Sequence, residues 1–182
     1  MLYIMRHGMT DWNKEHRLQG RTDIPLNDEG RKMAEKAREL YREVPLDICY
    51  CSPLVRAKET AQIVLQDRDI PILFDDRLRE MSFGKYEGVK DSFRMPDCPI
   101  NVLFRDPASY RGVEGGETME QLYERTGEFL QQVIMPQVAE GKDILIVGHG
   151  AMNSSILCQV KHIPVEHFWD AGIEKCKLMK LL

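Results

Sequence analysis

Long apolar runs are missing from this chain. Stretches such as Ile144-Leu145-Ile146-Val147 fall far below the ~20 residues that a bilayer-spanning helix needs. Arg6 and His7 interrupt the N-terminal segment before the apolar core of a secretory leader could form, so the expected location is the cytoplasm. Positive charge is short too. The 25 Lys and Arg stand against 29 Asp and Glu for a formal charge of −4, the wrong sign for gripping nucleic-acid phosphates or an anionic membrane. Cysteine is sparse and odd in number. Cys49, Cys51, Cys98, Cys158 and Cys176 form no C-x-x-C pair, and Cys49 and Cys51 would face opposite sides of a strand. They read as small buried apolar residues, neither catalytic nor paired. No H-x-H, H-E-x-x-H or clustered-Asp pattern is present, which counts against a metallohydrolase. The lysine-bearing glycine loop that cradles nucleotide phosphates is absent as well.

What is present describes an ordinary globular protein. The 182 residues are 43% apolar and 30% charged, with two Trp, six Tyr and six Phe, and show no internal repeat or low-complexity tract. That length suits one domain, 1–182, with an insertion at about 81–117, burying roughly two thirds of the unfolded surface. Leu2 to Met5 reads as a strand that breaks at Arg6-His7-Gly8. Asn27 to Gly30 supplies a cap and an acidic first turn for an amphipathic helix over about 28–43. Ile48 to Cys51 reads as a second strand. Ser52-Pro53 then predicts an N-cap with proline at the first position of a helix over about 53–66. Pro71 to Phe74 is a third strand, and Arg77 to Ser109 reads as irregular. Thr118 and Gln121 form a capping box for a helix over about 118–139 that kinks at Pro136. Ile144 to Val147 is a fully apolar strand ending at Gly148-His149-Gly150. Strands alternating with helices predict an α/β fold, a largely parallel sheet covered on both faces.

Ligands of such sheets bind beyond the carboxyl ends of the strands. Arg6-His7-Gly8, Ser52 to Arg56 and Gly148-His149-Gly150 fall at such ends. Two arginines and two loop histidines there suggest a compact cationic pocket for a phosphoryl group, because guanidinium forks match phosphate oxygens and keep their charge. A neutral imidazole is a competent nucleophile at phosphorus. The leaving alkoxide needs an acid, and a carboxyl beside a phosphate holds its proton more tightly than usual. Glu80, in Leu78-Arg79-Glu80, is the candidate, with a plain surface role as the alternative.

Arg6-His7-Gly8-Met9-Thr10-Asp11-Trp12-Asn13 matches the signature R-H-G-x-[ST]-x-W-N. Gln19-Gly20-x-x-Asp23-x-Pro25-Leu26, Ser52-Pro53-Leu54-x-Arg56-Ala57-x-x-Thr60-Ala61, Leu78-x-Glu80-x-x-Phe83-Gly84-x-x-Glu87-Gly88, Gly115-Gly116-Glu117-Thr118 and His149-Gly150 follow in order. By these motifs the chain resembles, over nearly its whole length, the histidine phosphatase superfamily, which includes the cofactor-dependent phosphoglycerate mutases. The resemblance implies a three-layer α/β/α sandwich around a mostly parallel mixed sheet, with Lys177 to Leu182 closing one edge and a short insertion over the site. It implies His7 as the phosphorylated nucleophile, Arg6 and Arg56 as the clamp on the phosphoryl oxygens, and His149 as a donor to them. Glu80 would be the proton donor and then the base for water, Asn13 a phosphate contact, and Gln19, Gly20 and Arg21 substrate-facing residues. The partner is a small phosphorylated metabolite; no cofactor or metal is called for. Gly148 departs from the Ser or Ala that relatives commonly carry, which removes a small hydroxyl contact.

The expected activity is a metal-independent phosphatase. The alternatives are a cofactor-dependent phosphoglycerate mutase and a non-catalytic phospholigand-binding relative. Three features lean toward hydrolysis: only 68 residues separate Glu80 from His149, Phe83 stands where the mutases resemble one another in having a tyrosine, and no paired arginines lie between Gly88 and Gly115. His16, His162 and His167 read as structural or surface residues and Trp12 as packing. Arg94, Arg105 and Arg111 read as surface charge.

Overall fold

The computed structural model describes residues 1–182, the side chain of Phe93 excepted. In chain order the elements are β1 (Leu2–Arg6), α1 (Asp11–Lys14), α2 (Asp28–Tyr41), β2 (Ile48–Cys51), α3 (Val55–Val64), β3 (Ile72–Phe74), α4 (Ile100–Arg105), α5 (Met119–Phe129), α6 (Met135–Ala139), β4 (Ile144–Gly148), α7 (Gly150–Lys161) and β5 (Leu178–Lys180). The strands form one sheet in the order β3-β2-β4-β1-β5. All neighbours are parallel except β5, which runs antiparallel to β1 with Ile4 opposite Met179.

Period-two alternation divides the strands between two cores. Leu2, Ile4, Tyr50, Ile144 and Ile146 face Phe129, Ile134, Met152 and Ile156 on the α5–α7 side. Met5, Cys49, Cys51, Leu145 and Val147 face Ala34, Ala37, Ala57 and Ala61 on the other, where small residues let α2 and α3 lie close to the sheet. A third cluster, with Met81, Ile100, Leu103 and Phe168, lies under the segment between β3 and α5. All five cysteines are buried and free. Among the described residues, no helix is long and apolar enough to cross a membrane.

Local physics explains the departures from the sequence reading. Ser52 does not cap α3. The helix starts at Val55 after an extended Leu54, and Asp23 Oδ1, 32 positions upstream, accepts the Val55 N–H at 2.7 Å. The long helix does capture Thr118 and Gln121 as a reciprocal box, but it does not simply bend at Pro136. Residues Leu130–Ile134 widen into π-helix just ahead of the proline, whose missing N–H and bulky ring are incompatible with a regular turn. The stretch read as irregular contains α4, which turns Ile100 and Leu103 inward.

Candidate active site

The sheet order brings together residues far apart in the chain. With β4 between β1 and β2, Arg6 lies opposite Gly148 and Cys51 opposite Val147, so three strands end on one line. The next residues stay in register: His7 N–H donates to the Gly148 carbonyl at 2.9 Å and Ser52 N–H to Val147 at 3.0 Å. The loop after β1 presses onto the start of α2, and only glycine fits there. A Cβ on Gly30 would lie 2.1 Å from the Met9 carbonyl oxygen, and one on Gly8 would lie 2.6 Å from that of Gly30. Thr60 Oγ1 takes the Gly8 N–H at 3.1 Å.

His7 is buried, in contact with the Arg56 guanidinium. Its Nδ1 is 2.7 Å from the Gly8 carbonyl, which can only accept, so the proton sits on Nδ1 and Nε2 keeps its lone pair. Arg56 Nε donates to that Nε2 at 3.3 Å. Burial, and then the Arg56 and Arg6 charges, hold the imidazole well below its ordinary pKa. Arg56 is fully buried and donates to the carbonyls of Gly20 at 2.6 Å and Thr22 at 2.9 Å; burial pushes it down to about 10, which leaves it charged at neutral pH. Arg6 donates from Nη1 to the Ile173 carbonyl at 3.3 Å. Lys175 bridges to the Arg6 backbone, and burial and the Arg6 charge push its ammonium down to about 8.

His149 lies 5.2 Å from His7 between ring centroids, with Nε2 2.7 Å from Ser52 Oγ. Burial, then Arg56, lowers its pKa well below the usual value. Arg6 Nε and His149 Nδ1 are buried nitrogens without a hydrogen-bond partner, groups that phosphoryl oxygens would satisfy. Glu80 reaches the start of α7, where its carboxylate accepts from the N–H groups of Met152 at 3.0 Å, Ala151 at 3.2 Å and its neighbour Met81 at 2.9 Å. The Ala151 and Met152 amides are first-turn groups unmet within α7, so the carboxylate is positioned by backbone alone.

A cavity of about 360 Å³ opens over these groups. Arg6, His7, Asn13, Gln19, Gly20, Arg56 and Glu80 line it; His149 lies behind it, fully buried. The amide oxygens of Asn13 and Gln19 are taken by Thr10, leaving their amide nitrogens to meet a ligand. Arg21, expected to face substrate, is not among the residues lining this cavity. Its guanidinium donates to the Glu80 carbonyl at 3.2 Å and pairs with Glu117, which Arg125 also holds. The loss of a hydroxyl at Gly148 also has a structural counterpart: Met152 Cε lies 1.8 Å from where a Cβ would sit.

Several contributors have roles that the sequence does not show. Glu87 accepts from the N–H groups of Arg21, Thr22 and Phe83 and from the Thr22 hydroxyl, tying the 20–22 loop that holds Arg56 to the 83–88 turn. Its motif position was legible but its role was not. Leu18, Phe83, Phe104 and Trp169 form an apolar side to the cavity. Among the described residues, no group of three or more His, Cys, Asp or Glu is arranged to hold a metal ion.

Known proteins share this arrangement. The profile of the histidine phosphatase superfamily (branch 1) matches residues 2–182. An uncharacterized phosphatase, PhoE, of Bacillus subtilis is 36% identical over 157 residues, 86% of this chain and 75% of that protein. A 2,3-bisphosphoglycerate-dependent phosphoglycerate mutase of Gloeobacter violaceus is 29% identical over 180 residues, 97% of this chain and 82% of the mutase. The solved structure of Bacillus stearothermophilus YhfR is similar with a TM-score of 0.87 and 33% identity, covering 97% of this chain and 88% of that one. With both the profile and these relatives spanning the sheet edge just described, the chain belongs to the histidine phosphatase superfamily.

Proposed function

We propose that the protein is a metal-independent phosphatase that hydrolyses small phosphomonoesters through a phosphohistidine on His7. The observation that carries this reading is a neutral imidazole whose Nε2 lone pair faces the Arg56 guanidinium, in one cavity with Arg6 and the Glu80 carboxyl. His7 Nε2 attacks phosphorus as the bond to the ester oxygen breaks, and Glu80 gives that oxygen its proton. Arg6, Arg56 and His149 Nδ1 hold the phosphoryl oxygens, where charge develops. Glu80, now a carboxylate, takes a proton from water as the water attacks the phosphohistidine. Phosphate leaves and His7 returns to its neutral state. Arg21 acts through the backbone of Glu80 and Arg56 also anchors the 20–22 loop, so each has a positioning role.

Hydrolysis is favoured over phosphoryl return to substrate by the cavity's outer side. None of Arg94, Arg105 and Arg111 lines it, and Arg17, which does, is already held by Glu15 and the Gly88 carbonyl, which supports hydrolysis over binding of a second phosphate or a carboxylate. The test supplies 3-phosphoglycerate with a priming amount of 2,3-bisphosphoglycerate, and in parallel an alkyl phosphate with excess EDTA. Phosphate release that is indifferent to EDTA, and slowed ~10²-fold or more in Glu80→Gln, is the expected result. Isomerisation outrunning phosphate release ~10-fold would establish the mutase instead.

A further inference from the structure

We infer that the Phe104–Trp169 pair is a stacking platform that selects phosphomonoesters whose alcohol carries a flat, uncharged ring. This inference rests on the phosphatase reading above and assigns the leaving group that the site prefers. The two residues are 65 positions apart in sequence and line the same cavity as His7 and Glu80. Their rings stack at 5.4 Å between centroids with an interplanar angle of 26°.

The platform is built, not incidental. Trp169 is pinned on two sides: its Nε1–H donates to the Leu103 carbonyl at 2.8 Å, and the fully buried Phe168 meets it edge-on at 4.7 Å and 89°. α4 turns Leu103 into the core and leaves Phe104 40% exposed at the cavity wall. A large aromatic side chain held open to water beside a catalytic cavity offers a face that a ring can cover. Leu18 and Phe83 extend the apolar wall.

Charge and size narrow the class. Beyond the His7 cluster the ionisable groups lining the cavity are His16 and Arg17, and the Arg17 guanidinium is already held by Glu15 and the Gly88 carbonyl. A carboxylate or second phosphate placed here would lose its hydration against apolar walls. An uncharged ring loses nothing of that kind and gains stacking. The cavity, at about 360 Å³, leaves room beyond a phosphoryl group for such a ring.

The experiment compares kcat/KM for 2-phenylethyl, 2-cyclohexylethyl and ethyl phosphate and for 3-phosphoglycerate. The three alcohols are of similar acidity, so differences report binding rather than leaving-group chemistry. The expected result is that the phenylethyl ester exceeds the ethyl ester and 3-phosphoglycerate about 10-fold, the weight of one stacked ring, and also exceeds the cyclohexylethyl ester. In Phe104→Ala the phenylethyl-to-ethyl ratio should fall to within about twofold of unity. Trp169→Leu should do the same, and the exposed position of Phe104 keeps the test valid if the tryptophan variant fails to fold. A wild-type ratio within twofold of unity, a cyclohexyl ester as good as the phenyl ester, or a ratio unmoved by Phe104→Ala would overturn the platform. If no ester releases phosphate, the phosphatase reading is what has failed. Calorimetric binding of 2-phenylethylphosphonate against ethylphosphonate then decides the platform alone: about 10-fold tighter binding of the ring compound supports it, and equal binding overturns it.

Discussion

Lowering the pH from 7.5 to 5 should cost this protein stability through His7 and His149 specifically. Both imidazoles are buried and held neutral, with pKa values well below 6.5. In the unfolded chain each takes up a proton near pH 6.5, so below that point the unfolded state binds more protons and is favoured. Stability is therefore full above pH 6.5 and declines as the pH falls toward the lowered values. For a histidine that stays neutral when folded, the loss at pH 5 is about 2 kcal/mol, hence about 4 kcal/mol for the pair. That is a large share of the ~5–15 kcal/mol of a typical domain. With a urea dependence of about 2 kcal/mol per molar, the unfolding midpoint should move down by about 2 M. Other shifted groups act elsewhere. Lys175, pushed down to about 8, exerts its effect between that value and 10.5, while Asp75 and Glu114 are lowered from 3.8 and 4.5 and act as the pH falls below those values. The assay is urea unfolding from pH 7.5 to 5 for the wild type and His149→Gln, which cannot titrate. The variant should lose about half of the pH dependence, whatever its absolute stability. A wild-type midpoint that moves less than about 0.5 M, or a variant with an undiminished slope, would refute the reasoning.

Two further outcomes follow from contacts around the site. Gly148→Ser places a Cβ where Met152 Cε sits, so alone it should destabilise by about 1–3 kcal/mol, whereas Gly148→Ser in a Met152→Ala background should cost far less. A denaturation double-mutant cycle with coupling under about 0.5 kcal/mol would contradict this. Glu87→Gln exchanges one of two accepting oxygens for a donor among four donors, which should loosen the loop behind Arg56 and lower kcat/KM for an alkyl phosphate about 10-fold, a typical weight for a hydrogen bond to a charged group. Unchanged steady-state kinetics would show that Arg56 holds its place without it.

What could be read from the sequence was what is written locally. The apolar strands ending at Arg6-His7-Gly8 and Gly148-His149-Gly150 announced both the sheet and the edge where those residues gather, and Thr118 with Gln121 announced the start of α5. Features settled by remote partners were hidden. Asp23 caps α3 from another loop, and Glu117 with the Glu80 backbone draws Arg21 away from the cavity. α7 is not legible in the sequence because most of it is buried, so no apolar stripe stands out. Its Asn153 and Ser155 look like surface residues until they meet the Met5 carbonyl and Thr126. Phe104 and Trp169 acquire meaning only by touching.

The position of β4 at the centre of the sheet also sets an order of events in time. β1 and β2 are never paired with each other; each is paired with β4, which begins at residue 144. During synthesis, therefore, the first 143 residues can form helices and the β2–β3 pair but not the edge on which His7 and Arg56 meet His149. Bringing β1 to β4 closes a loop of about 140 residues, a search that costs about 4 kcal/mol in entropy on the logarithmic scaling before any contact repays it. Folding should be correspondingly slow, as for other chains dominated by distant pairings. His7, Arg56, Glu80 and His149 are then assembled in the same step that completes the sheet. Regain of activity after dilution from denaturant thus reports the insertion of the central strand, later than any signal from α2 and α3 alone.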